Sequence, residues 1–314
     1  MNTTQHPHIS PPYQTPLKHL GSFLLIWGLL LWGSGSSGAQ KSPPLKTTPT
    51  IPQPRGVNPL DMDVETYVLG NTLLTLYHEI GHGLVALGQL PILGREEDAV
   101  DAFALVELVT QLNRAPMDGL TQRDLVAYGY ASIDQWLKAG AEEGAPLASD
   151  YFGAHSLNYQ RYFQSACLLY GGSRDQFSAI PEVFDISEVF LETCKRQYFA
   201  AYDGWSHNLY SFDMLETDYG GENDLIFDIL PAERQQHARW QTLIETSGLL
   251  DAVQQHISAS FRLSQPIKVT FESCEEENAF YYLATHAISL CYELMNAYAR
   301  HHGQDTRAIL RTGL

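Results

Sequence analysis

Two histidines four residues apart, with a glutamate directly after the first, stand in Tyr77-His78-Glu79-Ile80-Gly81-His82. On a helix this spacing puts His78 and His82 one turn apart on the same face. Two imidazole nitrogens so placed can reach one zinc ion at ~2.0–2.1 Å. Glu79 would lie beside them without being a ligand, where it can take a proton from a zinc-activated water. A catalytic zinc needs a third protein ligand and leaves its fourth position open. Arg95-Glu96-Glu97-Asp98-Ala99-Val100-Asp101 follows at a short distance and is rich in carboxylates.

The elements that must position these groups are legible in the periodicity. From about Asp61 to Leu87, the residues Leu73, Leu76, Tyr77, Ile80, Leu84 and Leu87 follow the spacing of a buried helical stripe. Gly81 and Gly83 each cost ~1 kcal/mol relative to alanine. Their place beside the histidines predicts a close approach there, by a metal or a substrate strand. Gly88 and Pro91 end that helix, and a second runs from about Arg95 to Leu112. Its first-turn acids suit the positive end of a helix dipole. Glu97 and Asp101 form an i, i+4 pair on one face, whereas Glu96 and Asp98 have no carboxylate one turn on. Glu97 as third ligand, with Asp101 orienting a histidine through its other ring nitrogen, meets both needs of such a site. Glu96, Asp98 and Asp101 remain alternatives for the ligand.

Further along, Thr121 caps a helix to about Lys138, and Gly140 to Gly144 reads as a mobile loop. Helices are expected over Leu157–Tyr170, Pro181–Tyr202, Pro231–Thr246 and Leu249–Phe261. The acids of residues 211–229 read as a solvated loop rather than a calcium site, because their order does not match an EF-hand. Near the end the period changes to that of strands. Ile267–Phe271, Ala279–Leu283 and Ala287–Leu290 predict a small antiparallel sheet, followed by a helix over Tyr292–His301. The expected class is α+β, mostly α-helical. Phosphate-loop and serine-elbow motifs are absent from the sequence.

The N-terminus reads as an address. Lys18 and His19 precede an apolar run from Leu20 to Trp32, and small residues follow to Ala39. That order is a secretory signal over 1–39, with an uncleaved membrane anchor as its alternative. Residues 40–60 read as a Pro-rich tether and 61–314 as the folded domain. The formal charge of −17 becomes −18 without residues 1–39, whose only charged side chain is Lys18. So acidic a chain is a poor partner for nucleic acid or an anionic membrane surface. Cys167, Cys194, Cys274 and Cys291 all fall in the exported part and suit two disulfides. The sequential pairing, Cys167–Cys194 and Cys274–Cys291, is favoured because each encloses a short segment. Zinc binding by these cysteines is the weaker reading, since no spacing is C-x-x-C.

The histidine pair with a glutamate on the following helix resembles the gluzincin type of zinc peptidase, whose third ligand lies in Glu-x-x-x-Asp, here Glu97 to Asp101. The chain is also similar to a bacterial family of exported metallopeptidase-like proteins classed as a domain of unknown function. The stretches that carry this likeness are His78-Glu79-Ile80-Gly81-His82, Leu93 to Ala99 with Asp101 and Phe103-Ala104, and His155-Ser156-Leu157 with Gln160-Arg161-Tyr162. Cys167 with Tyr170-Gly171, Cys194, Trp205, Cys274 with Asn278 to Tyr281, and Cys291 to Leu294 complete it, so the likeness spans about Asp61 to Tyr298. It implies a zincin-like fold and one zinc ion acting on peptide bonds. The segment from Asn278 to Leu290 is similar to the edge hairpin that zincins lay above the metal, although here it follows the zinc helix instead of preceding it.

A further donor must stabilise the oxyanion. His155, Tyr159, Tyr162, His207 and Tyr281 are candidates, with His155 and Tyr281 put first. His256, His286, His301 and His302 read as surface or incidental. The expected function is a zinc-dependent peptidase in the periplasm or outside the cell, acting on a peptide or protein and free of the membrane once the signal is cleaved. Cell-wall peptides are one candidate substrate. The alternative is a catalytically silent, zinc-stabilised exported binding module, against which the presence of Glu79 argues.

Overall fold

A computed structural model describes residues 58–114, 119–212, 214 and 224–312. The expected signal, nearly all of the tether and most of the acidic stretch after Phe212 lie outside the described residues. The first helix, α1 (Val64–Gly88), is the axis of the fold. The Asp63 side chain accepts the Thr66 amide at 2.7 Å and starts it. Gln89, in the left-handed region at φ 49°, ends it. Residues on every side of α1 are buried, because it is enclosed by α2 (Glu96–Leu112), α3 (Gln122–Glu143), α10 (Tyr292–His302) and a sheet. One contiguous core runs from Tyr67 to Tyr298.

Thr121 and Asp124 form the capping box that begins α3. The helix continues through the expected loop to Glu143 and leaves only at Gly144, at φ +71°. Gly140 is kept because the Tyr159 ring fills the space beside it, 2.8 Å from where a Cβ would stand. α4 (Asn158–Gly172) lies against α3, and a disulfide from Cys167 to Cys194 ties it to α7 (Cys194–Ser211). The helix expected from Pro181 is broken into two single turns, α5 (Ile180–Val183) and α6 (Glu188–Leu191), before α7 begins. Asp185 at φ 52° turns the chain between them.

The sheet is mixed rather than antiparallel, in the order β1-β2-β4-β3. β1 (Leu225–Ile229) is parallel to β2 (Ile267–Glu272), and β2 is parallel to β4 (Ala287–Cys291). Parallel neighbours need a crossover, and α8 (Ala238–Thr246) and α9 (Leu249–Ser258) supply it between β1 and β2. β3 (Ala279–Tyr282) forms the antiparallel hairpin with β4 and takes the edge beside α1. β1 was hidden in the acidic stretch expected to be loop. Its Asp228 pairs with Lys268 of β2 at 3.2 Å.

The helix expected from Pro231 starts only at Ala238, because the residues after β1 are still hydrogen-bonded to the end of β2 and the turn beyond it. Leu230 donates its amide to Phe271 O at 2.9 Å, and Glu233 donates to Ser273 Oγ at 3.2 Å. A disulfide from Cys274 to Cys291 closes the segment holding β3 and most of β4. α10 follows β4 directly, and α11 (Thr306–Thr312) ends the described chain. Both expected disulfide pairings are present, and the α+β, mostly helical class holds.

Candidate metal centre

His78 and His82 project from the middle of α1, their ring centroids 5.0 Å apart. α2 crosses beside them, and the contact is made possible by Gly81: a Cβ there would stand 3.0 Å from Val100 and 3.1 Å from Phe103. The glycine-thinned face is therefore used by α2 and, at Gly83, by Ile267 of the sheet, 2.6 Å from a built Cβ. The close approach expected at those two glycines is present, and side chains of α2 and of the sheet make it.

The close crossing brings Glu97 to the histidines. Its Oε2 lies 3.2 Å from His78 Nε2, 3.3 Å from His82 Nε2 and 3.0 Å from His155 Nε2. Yet this oxygen is buried and has no well-formed hydrogen bond, although three ring nitrogens stand at hydrogen-bonding distance from it. Donor atoms around a tetrahedral ion at ~2.0 Å stand about 3.3 Å apart, with their lone pairs aimed at the ion instead of at each other. The spacing and the lack of a well-formed hydrogen bond both fit a bound cation.

On their other side the two rings are held by carboxylates. His78 Nδ1 lies 2.8 Å from Asp101 Oδ1, and His82 Nδ1 lies 2.7 Å from Glu96 Oε1. An ionised carboxylate only accepts, so each Nδ1 carries the hydrogen and each Nε2 is left to face Glu97. Asp101 is gripped in turn by Arg161 of α4, whose guanidinium carbon lies over Trp136, 3.5 Å from the ring centroid. Asp101 was expected in this place. Glu96 was weighed as a ligand and instead backs His82, while Arg161 was not singled out as part of the site.

Electrostatics follow the geometry. Burial pulls the His78 pKa down, but Asp101 and Glu97 outweigh it and leave the metal-free ring at about 9. Burial pushes Glu97 up, and His155, His78 and His82 hold it well below the usual carboxylate range. Asp101 is lowered despite its burial, by Arg161 and His78. Glu79 is the exception. Burial raises its carboxyl, and His78 and His82 only partly oppose this. It is 6% exposed and lines the same cleft of about 630 Å³ as His78, Asp101 and His155.

The candidate oxyanion groups separate clearly. The His155 ring lies parallel to His78 at 6.1 Å, and the Tyr281 ring parallel to His82 at 6.3 Å. Tyr281 OH is 2.6 Å from His286 Nδ1. Tyr162 is buried in the core and donates to Phe184 O, Tyr159 packs on Gly140, and His207 is exposed on α7. Two histidines expected at the surface are core residues: His256 pairs with Glu107 at 2.8 Å, and His301 lies 2.8 Å from Gln135. His302 lies 2.8 Å from Met62 O, and His286 sits in the β3–β4 turn beside Tyr281. None of these was readable without the tertiary packing.

A histidine pair on α1 thus faces the carboxylates of α2 beside the edge strand β3. A family model described as "Putative metallopeptidase", itself a domain of unknown function, matches residues 55–209 and 230–310. The chain belongs to this family. No curated protein and no solved structure matches it.

Proposed function

We propose that the chain is a zinc-dependent peptidase holding one zinc ion through His78, His82 and Glu97, with Glu79 as general base. The observation that carries this reading is the buried Glu97 oxygen without a well-formed hydrogen bond, set among imidazole nitrogens at 3.0–3.3 Å. Zinc, when bound, supplies a Lewis acid that polarises a carbonyl and acidifies water to a pKa near ~7. Glu79 takes the proton from the attacking water and returns it to the leaving amine. Its burial suits that work, since a carboxyl raised toward neutrality both accepts and releases a proton readily. Asp101 and Glu96 fix the ring orientations and make the two histidines better donors.

The substrate is a peptide or protein lying along the outer edge of β3. Asn278 and Ala279 reach the cleft, and Tyr281 beside His82 is the group to polarise the scissile carbonyl. If His286 carries its hydrogen on Nδ1, the tyrosine accepts there and keeps its own O–H for the substrate. The net charge of −17 speaks against nucleic acid as a partner. Two disulfides suit an oxidising compartment. Among the described residues no helix is long and apolar enough to cross a membrane. The disulfides and the signal-like N-terminus together support a periplasmic or extracellular location.

The test is zinc analysis and peptide hydrolysis by wild type, Glu79→Gln and Glu97→Ala. Glu79→Gln keeps one zinc per chain and loses hydrolysis by about 10²–10⁴-fold. Glu97→Ala loses the metal. Wild type without zinc at saturating supply overturns the reading. Wild type with zinc but without hydrolysis of a broad peptide library or of cell-wall peptides leaves the silent binding module in its place.

A further inference from the structure

The third imidazole at Glu97 belongs to neither helix. His155 stands on the stretch that joins α3 to α4, irregular but for a single 3₁₀ turn over Asp150–Phe152, and its side chain is 52% exposed. Its Nε2 is nonetheless the closest of the three to Glu97 Oε2, at 3.0 Å. The donor atoms of His78, Glu97 and His155 all lie within 4.8 Å of one another, a spacing that His82 shares with Glu97, 3.3 Å away, but not with both of the other histidines. The segment is fastened at the same place: Arg95, the N-cap residue just before α2, donates to Tyr151 O at 3.0 Å and to His155 O at 3.3 Å. One helix end thus supplies Glu97 and holds the backbone that carries His155.

We propose that His155 is a fourth, exchangeable zinc donor, which closes the site in the resting protein and leaves when a carbonyl-like ligand enters. This rests on the zinc reading above and goes beyond it. Four protein donors complete a tetrahedral shell and leave no place for water, whereas hydrolysis needs an open position. The histidine that must yield is the one on the half-exposed connection. His78 and His82 lie on a buried helix, each with a carboxylate behind its Nδ1. Arg95 is the positioning residue that keeps His155 within reach.

X-ray absorption at the zinc edge counts imidazoles directly and does not depend on activity. Zinc-loaded wild type should show three imidazoles, and His155→Ala and His155→Asn should show two. Chelator competition should find zinc held more weakly by about tenfold or more in both variants, since loss of a group that merely supports a ligand already costs about 10–100-fold. Circular dichroism checks that both variants fold. With acetohydroxamate added, wild type should fall from three imidazoles to two. A wild type with one zinc and two imidazoles from the outset overturns this proposal and leaves the zinc reading intact. A count fixed at three with acetohydroxamate present overturns the exchange and marks a permanently closed site. A wild type that takes up no zinc overturns both.

Discussion

Arg161 holds Asp101 with two hydrogen bonds, Nε to Oδ2 at 2.7 Å and Nη2 to Oδ1 at 2.6 Å. The same Oδ1 faces His78 Nδ1, so a residue on α4 sets the orientation of a ring on α1 through a carboxylate on α2. Removing Arg161 should therefore act at a distance. Arg161→Ala is expected to weaken zinc binding about 10–100-fold, with Arg161→Lys in between because it keeps charge but loses the paired geometry. Competition with a chromophoric chelator measures this. Equal affinity in all three proteins would show that Asp101 needs no support from α4.

Two glycines of α1 make contrasting predictions. At Gly70 an added Cβ would meet the Tyr128 backbone at 2.7 Å, forcing α1 away from α3. Gly70→Ala should cost about 1–3 kcal/mol of stability in denaturant melts. At Gly81 the neighbours are side chains of α2 at 3.0–3.1 Å. Gly81→Ala should cost less stability but more zinc affinity, because it separates the histidines from Glu97. The idea fails if Gly70→Ala is the variant with the greater loss of metal.

The disulfides close segments with sequence separations of 27 and 17 residues. Chain entropy makes each worth about 3–4 kcal/mol, the longer being stronger by about 0.4 kcal/mol. Paired Cys→Ser variants measured by denaturant midpoint should follow that order. Hydrolysis should follow the opposite order, because Cys274–Cys291 encloses β3.

Glu293 gives a pH-dependent contribution to stability. Its carboxylate accepts the amides of Cys274 at 3.1 Å and Glu275 at 3.2 Å, joining α10 to the turn after β2. Burial raises its pKa, but those amides and His237 hold it below the ordinary 4.5. A lowered carboxyl stabilises the fold fully above the unfolded value and loses that contribution as pH falls through the folded one. Glu293→Gln should thus cost about 1–2 kcal/mol at pH 7. The gap between variant and wild type should close in acid. Thermal melts from pH 7 down to 3 would reveal a constant gap if the charge were irrelevant.

Much of this site is legible in the sequence, because its signals are local. His78, Glu79 and His82 are bound by helical period, and Glu97 with Asp101 repeats the same period one helix later. The role of Glu96 is not legible locally, because it has no carboxylate one turn on and its partner, His82, lies across a helix crossing. The available signal was simple: two ligand histidines call for two carboxylates, and Asp101 can serve one. Arg161 and the buried His256 depend on contacts 60 and 149 positions apart in the chain, which no local pattern carries. β1 was lost for a different reason. Its five residues sit at the end of an acidic stretch, and the charges outweighed the short β-prone apolar run Leu225-Ile226-Phe227 with Ile229.

The Cys274–Cys291 bond makes a covalent ring that contains the whole of β3. β3 is hydrogen-bonded to β4 along one side, and its other side is the edge of the sheet. Unaided, an edge strand can peel away whenever a competing strand offers better pairing. A strand looped back on its neighbour by a covalent bond can tilt, but its far end cannot be drawn out of the sheet. On the reading proposed above, a peptide could load and unload along that edge many times, even under pull from a folded substrate, without unravelling the surface on which it is read.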